Sequence, residues 1–367
     1  MTSSVDAHEL ALQPTPNNGL VTQETGVLVI AGQVANEQAA QGVFADYLSR
    51  KADNTIRRQA ADLARFAAFL DQAGEGAGLQ LGAALGAFAE SVAAFPDGAV
   101  PEAEAWRGVT WGLVEAFRNR MVAQGDAVGS INVRLSTVKA YARLATKAGV
   151  LTAEELAMIR TVAGYAHKEA RRIDERRETS RRGSKKAGAV RISHKQARKL
   201  KAQPDTPQGH RDALLMCLLL DHGLRVGEVA WLQVSDFDLK AGEMRFLRPK
   251  VDKVQTHKLS ADTLRALQAW VESGDARENG SLLRGSRKGG ALTNTGMSER
   301  AITERVRVLG EEVGLAGLSA HDCRHYWATY WARKVDVLRL QEAGGWSSLA
   351  MPRRYVEDSE IANEGMA

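Results

Sequence analysis

A block of like charge divides this chain. Between Lys168 and Lys201 fourteen Lys/Arg stand against Glu169, Asp174, Glu175 and Glu178, a net of +10 in a chain whose total is +5. Such a block resists burial, because each ion taken out of water without partners costs several kcal/mol. It must run over a surface, either as a solvated connector or against a polyanion. The 367 residues are enough for a hydrophobic core on each side of it. The expectation is a helical part over residues 41–170, a basic linker over 171–190 and a second part over 191–367.

Ahead of these, residues 1–40 hold no Lys or Arg and four acids, Asp6, Glu9, Glu24 and Glu37. Few large apolar residues and no clear period mark them as a mobile tail, in which "VLVI" is an isolated short strand or adhesive segment. From Gly42 helical periodicity begins. "VFADYLSRKADNTIRRQAADLARFAAFLDQAG" reads as two helices, with Asn54 as N-cap and a stripe of Ile56, Leu63, Phe66, Phe69 and Leu70. "TWGLVEAFRNRMVAQG" is a third, ending at Gly125. "SINVRLSTVKAYARLATKAG" is a fourth, capped by Ser130 and stopped by Gly149. "TAEELAMIRTVAGYAHKEARR" is a fifth that runs into the basic block. Beyond Arg191, "DALLMCLLLDHGLRVGEVAWL" reads as a buried helix, a turn at Gly223 and a second helix from Val226. "GEMRFLRPKVDKVQTHKLS" reads as two strands around a turn at Lys250–Val254, and more helices follow. The fold class is therefore mainly α with a small antiparallel β-sheet in the C-terminal domain.

Composition excludes several functions. Apolar residues at 44% and charged residues at 25% are those of a soluble globular protein. No apolar run approaches the roughly 20 residues that cross a bilayer. The first residues lack the basic and apolar regions of a signal peptide, and Cys217 and Cys323 lie far apart without ligand spacing. A cytoplasmic protein with reduced thiols, no cofactor and no structural metal is expected. There is no P-loop, and "RKGGALTNTG" is only a loop signal.

What remains is a set of charged residues in the second part. Arg225 stands in the turn of "HGLRVGEV", and Lys250 opens a hairpin turn. His321 and Arg324 in "HDCRHYWATYWARK" share one helical face at i, i+3. Tyr355 in "GGWSSLAMPRRYVE" lies nine residues after Trp346. Singly, each has an ordinary structural explanation: a cap, a loop lysine, a core histidine, an aromatic plug. Together they suit phosphoryl transfer. Guanidinium forks bind non-bridging phosphate oxygens and offset the charge that grows in a pentacoordinate transition state. A tyrosine hydroxyl can attack phosphorus, given a base or cationic neighbours, and a lysine can protonate the departing oxygen. No cluster of carboxylates offers a Mg²⁺ site, which disfavours a metal-assisted nuclease.

"GLRVGEVAWLQVSDFDL", "HDCRH" and "GGWSSLAMPRRY" resemble the tyrosine recombinase (phage integrase) family in order and spacing across Arg191–Val356. The resemblance implies a two-domain clamp, an all-helical core-binding domain ahead of a mixed α+β catalytic domain. It implies Arg225, Lys250, His321, Arg324, Trp346 and Tyr355 as the active site, with Glu228 orienting its neighbours. It further implies a site-specific DNA recombinase that forms a 3′-phosphotyrosyl link and passes through a Holliday junction without metal or ATP. A homotetramer on double-stranded DNA, monomeric when free, is the implied assembly, with no membrane partner. "NTIRRQAADLARFAAFL" and "SINVRLSTVKAYARLA" are similar to the core-binding domain. Their Arg57, Arg58, Asn132, Arg134, Lys139 and Arg143, with Ser136, form the DNA-contacting set against the alternative of a solvated helix face.

Two points stay open on the residues. Lys253 is the alternative hairpin lysine. Trp346 stands where histidine is commoner, and an indole donates one hydrogen bond but shuttles no proton. That leaves His321 as the better candidate to take the tyrosine proton. Tyr326 and Tyr330 share the His321 helix among apolar neighbours and read as core. The alternatives in other classes are a type IB topoisomerase-like relaxing enzyme and a non-catalytic DNA-binding accessory protein.

Overall fold

The computed structural model describes residues 18–176 and 189–357, apart from 278 and 288. The chain forms two compact units, Met1–Lys185 and Lys186–Ala367.

The first unit is helical: α1 Asn18–Ser49, α2 Asp53–Gly74, α3 Ala83–Ala94, α4 Trp111–Ala123, α5 Val128–Lys147, α6 Ala153–Thr161 and α7 His167–Arg176. Its core is aromatic. Phe44, Phe66, Phe88, Trp106, Phe117 and Tyr141 are all buried, with Phe88 edge-on to Phe44, Trp106 and Tyr141 at centroid distances of 5.0–6.0 Å. Such pairs add to the area they bury. A buried carboxylate, Asp62, is matched by Thr137 at 2.8 Å and Arg58 at 2.7 Å, which ties α2 to α5.

Several sequence expectations change here. The segment 18–40, expected as tail, lies in α1; residues 1–17 fall outside the described residues. Ala, Gln and Glu are good helix formers, and the helix is anchored by its last turns, where Phe44 and Leu48 enter the core. "VLVI" is thus helical and exposed, at 55–73%. Helix α2 begins at Asp53 with Ala52 as its cap, and α5 at Val128 with Ala127, so neither Asn54 nor Ser130 caps. The expected fifth helix is two. The chain breaks between Thr161 and His167, where Asn132 exchanges side-chain hydrogen bonds with both backbone groups of Tyr165 at 2.9 Å. A Cβ on Gly164 would lie 2.5 Å from that amide, so only glycine lets the chain pass. Of the expected linker, residues 171–176 are the end of α7, and 177–188 lie outside the described residues.

The second unit holds α8 His194–Lys201, α9 Pro207–Asp221, α10 Val226–Trp231, β1 Phe237–Asp238, β2 Glu243–Arg248, β3 Lys253–Lys258, α11 Ala261–Glu272, β4 Arg284–Ser286, β5 Leu292–Gly296, α12 Glu299–Glu312, α13 Ala320–Ala332, α14 Val337–Gly344 and α15 Ala350–Glu357. All seven residues from Leu214 to Leu220 are buried, so α9 is enclosed on every side, the condition for a helix apolar all round. Strands β1, β2 and β3 form an antiparallel sheet in that order, and β4 pairs with β5. Met244 faces His257, Phe246 faces Gln255 and Arg248 faces Lys253. Alternation along β2 buries Met244, Phe246 and Arg248 together. The molecule is mainly α with small antiparallel sheets, as its periodicities predict.

Candidate active site

Arg225 is placed by the sharp turn between α9 and α10. Gly223 has φ +60°, and a Cβ there would lie 2.4 Å from the Trp327 ring, so the turn packs directly on α13. Arg225 then caps α10. Its N–H donates to Glu228 Oε2 at 2.8 Å, its Nη1 to Glu228 Oε1 at 2.6 Å, and its Nη2 to the carbonyl of Gly345 at 2.9 Å.

His321 and Arg324 lie in the first turns of α13, which starts with a capping box between Ser319 and Asp322. Arg324 is buried at 3% exposure and donates to the carbonyls of Gly223 and Gly344, each at 2.5 Å. Its guanidinium lies 4.6 Å from the Trp346 ring. Burial, with Arg225 adding repulsion, pushes its pKa down to about 9, so it remains charged at neutral pH. His321 is exposed by surface area, yet partial desolvation and then Arg324 and His325 hold its pKa below the usual value, with Asp322 opposing. The ring is therefore neutral at physiological pH and can accept a proton.

Trp346 follows α14 across Gly345, whose φ is +58°. Its ring is 6.1 Å from Trp327 and 5.7 Å from Tyr355. Tyr355, on α15, is 2% exposed and packs with Trp327, Ala328 and Leu340; its ring meets His325 edge-on at 4.8 Å. Lys250 lies exposed in the turn between β2 and β3 and has no side-chain hydrogen bond among the described residues. Lys253, the alternative, is paired with Glu342 at 2.5 Å. The structure thus brings Arg225, Glu228, Arg324, Trp346 and Tyr355 together around the end of α14, with His321 on the Arg324 helix and Lys250 on the adjoining hairpin.

Three participants escaped the sequence reading. Arg248, wholly buried, donates to Glu228 at 2.8 Å and to the Ala343 carbonyl at 2.7 Å, and also to Gln255. Gln255 in turn reaches the Glu342 carbonyl at 2.6 Å. His325 is the ring that touches Tyr355. The available signal was the alternation of "EMRFLR", which sets Arg248 on the same strand face as Met244 and Phe246. Tyr326 and Tyr330 stack at 6.3 Å and point to His194, away from these groups.

In the first unit the expected DNA-contacting residues divide. Asn132 holds Tyr165. Arg134 pairs with Asp126 at 3.0 Å, and Lys139 donates to the carbonyls of Arg160 and Val162. These three are engaged in holding the fold. Arg57, Arg58 and Arg143 are exposed, with Arg57 reaching Asn54 and Arg58 reaching Asp62.

Residues 190–360 match the phage integrase family. The chain is similar to the tyrosine recombinase XerC of Haemophilus ducreyi, 34% identical over 161 residues that cover 42% of this chain and 50% of that one. It is also similar to the tyrosine recombinase XerD of Neisseria meningitidis, 28% identical over 181 residues that cover 48% and 60%. The chain therefore spans about half the length of the curated relatives it matches. Among solved structures, a Tn1549 transposon integrase in complex with transposon right end DNA aligns at TM-score 0.52 and 13% identity, over 82% of this chain and 98% of that one. A lambda integrase dimer bound to a core site aligns at TM-score 0.51 and 16% identity, over 80% and 96%. These two show a shared fold. Residues 190–360 thus match the phage integrase family, and over that part the chain is similar to tyrosine recombinases.

Proposed function

We propose that this protein is a site-specific DNA recombinase that cleaves and rejoins strands through Tyr355. Arg225 and Arg324 take the non-bridging oxygens of the scissile phosphate, and Trp346 holds the Arg324 guanidinium by its ring face. Neutral His321 takes the proton of the tyrosine hydroxyl. The tyrosine oxygen bonds to phosphorus, the bond to the 5′ oxygen breaks, and Lys250 gives that oxygen a proton. A 5′-hydroxyl from a second duplex then reverses these steps and frees Tyr355. The phosphodiester energy stays in the 3′-phosphotyrosyl bond, so the cycle balances without a nucleotide. Exchange of two duplexes breaks four strands in two rounds, through a Holliday junction. One tyrosine per strand makes a tetramer on DNA the matching assembly.

One observation carries this reading. Arg225 and Arg324 converge on the consecutive carbonyls of Gly345 and Gly344, beside a tryptophan that touches both Arg324 and Tyr355. Two guanidiniums held so close are suited to one dianionic transition state. The solved neighbours named above are integrases with DNA, which supports duplex DNA as substrate. Arg57, Arg58 and Arg143 are the exposed cations of the first unit that suit phosphate contacts. No described helix is long and apolar enough to cross a membrane, and a DNA substrate supports a cytoplasmic location.

The test uses nicked duplexes of randomised sequence, resolved under denaturing conditions. Wild type is expected to form a covalent adduct that Tyr355→Phe does not, and sequencing the trapped duplexes gives the site. No adduct with wild type, or an equal one with Tyr355→Phe, ends the reading. Relaxation of plasmid without sequence preference moves it to a relaxing enzyme.

A further inference from the structure

We propose that Arg248 is a positioning residue for strand cleavage, one that locks the hairpin carrying Lys250 and the turn carrying Trp346 into register with Arg225. This rests on the recombinase reading above.

Three consecutive carbonyls at the end of α14 each receive one arginine. Ala343 accepts from Arg248 at 2.7 Å, Gly344 from Arg324 at 2.5 Å and Gly345 from Arg225 at 2.9 Å. The carbonyls at a helix C-terminus lack intrahelical donors and carry the negative end of its dipole. They hold three like charges in a row while leaving other guanidinium N–H groups to bind elsewhere. Glu228 joins two of the three, with Oε1 on Arg225 and Oε2 on Arg248. Moving Arg248 therefore moves the carboxylate that orients Arg225.

The same residue ties down the hairpin. Arg248 is the last residue of β2, two before Lys250, and Gln255 on β3 binds both Arg248 and the Glu342 carbonyl. Both strands are thereby fastened to the last turn of α14. The close fit extends to the main chain, where a Cβ on Gly345 would lie 2.4 Å from Arg248 Cδ. Stability alone does not account for the residue. Met244 and Phe246 fill the neighbouring buried positions of the strand, and a buried ion pair is often no more stabilising than the apolar residues that would replace it.

A misplaced Lys250 leaves a specific chemical trace. The 5′ oxygen needs a proton as it departs, whereas a 5′ sulfur in the same bridging position leaves as a thiolate and needs none. The duplex selected with wild type is made in both forms, and single-turnover covalent cleavage is measured beside affinity for the uncleaved duplex. Arg248→Met is expected to cleave the oxygen duplex about thirtyfold more slowly or worse. It should bind DNA as wild type does and recover the Lys250 share of the loss on the sulfur duplex, as the benchmark Lys250→Ala does, the remainder being the share that passes through Glu228 to Arg225. Arg248→Lys, which can reach Glu228 but not all its partners, is expected to fall between. Equal losses on oxygen and sulfur, or a loss that tracks weakened binding, overturns the proposal and leaves the recombinase reading intact. Wild type without adduct on either duplex overturns both. If Arg248→Met does not fold, Gln255→Met is read the same way, with a smaller oxygen-specific loss expected and an equal loss on both duplexes counting against.

Discussion

Arg324 donates to Gly223 and Gly344 while its guanidinium faces Trp346, so one side chain joins three separate segments. A lysine cannot fork in that way. Arg324→Lys is expected to lower stability by about 1–3 kcal/mol in urea denaturation, because one buried carbonyl loses its donor. It should also slow covalent cleavage by about a hundredfold or more. Trp346→Phe keeps an aromatic face and should cost only a fewfold in cleavage; complete loss would instead identify the indole N–H as the working group. His321 governs pH dependence. Its pKa is lowered, so the basic form is present above that value and lost on acidification. The acid limb of single-turnover cleavage should therefore have its midpoint below 6.5, and His321→Gln should lack that limb. The spacing of His321 and Arg324 on one helix was legible because i, i+3 residues share a face. Trp346 and Tyr355 lie outside any common helix, and their pairing came from the family resemblance. Arg248 was not legible, since Glu228 lies 20 residues away and Ala343 lies 95. The partners of Asn132 and Lys139 were hidden for the same reason: they lie 33 and 21–23 residues along the chain.

Strand β3 and the residue that follows α9 bring two histidines together, with His222 and His257 at a ring distance of 5.9 Å. Burial pushes their pKa values down to about 4 and about 3, with Arg248 and His222 adding to the effect at His257. Both are neutral when folded and titrate near 6.5 when unfolded. Their contribution is thus complete above pH 6.5 and is lost as pH falls towards 4. Calorimetry should show a loss of roughly 2 kcal/mol per histidine between pH 7 and 5, and His222→Gln with His257→Gln should flatten the profile. Helix α1 tests a different point. Its first half exposes Val27, Leu28, Val29 and Ile30, while Phe44 and Leu48 are buried. Leu28→Ser with Ile30→Ser should leave the melting temperature unchanged, whereas Phe44→Ala should cost about 3–5 kcal/mol. Periodicity could not reveal this helix because its exposed half has no apolar face to repeat. The α9–α10 turn and the β2–β3 hairpin were readable because glycine, alternation and turn residues speak locally.

At the scale of the molecule, charge is the long-range property. The segment with fourteen Lys/Arg is the strongest concentration of positive charge in the sequence. If it lies on phosphates, replacing Arg181, Arg182, Lys185 and Lys186 by Gln should reduce the slope of log affinity against log salt by about 3–4. An unchanged slope in filter-binding titrations makes the segment a spacer. That block and the change of period were the signals for a boundary near residues 171–190, and the two compact units divide between Lys185 and Lys186. The last turn of α14 has another consequence. Its carbonyls, not its side chains, receive the three arginines, so the length of chain that leads to them matters alongside the glycines at 344 and 345, where a Cβ would meet Trp346 and Arg248. Insertion or deletion of a single residue between Leu340 and Trp346 would turn the helix end by about 100° and shift every receiving oxygen at once. This site is therefore sensitive to a change of frame in the backbone as well as to the loss of either glycine.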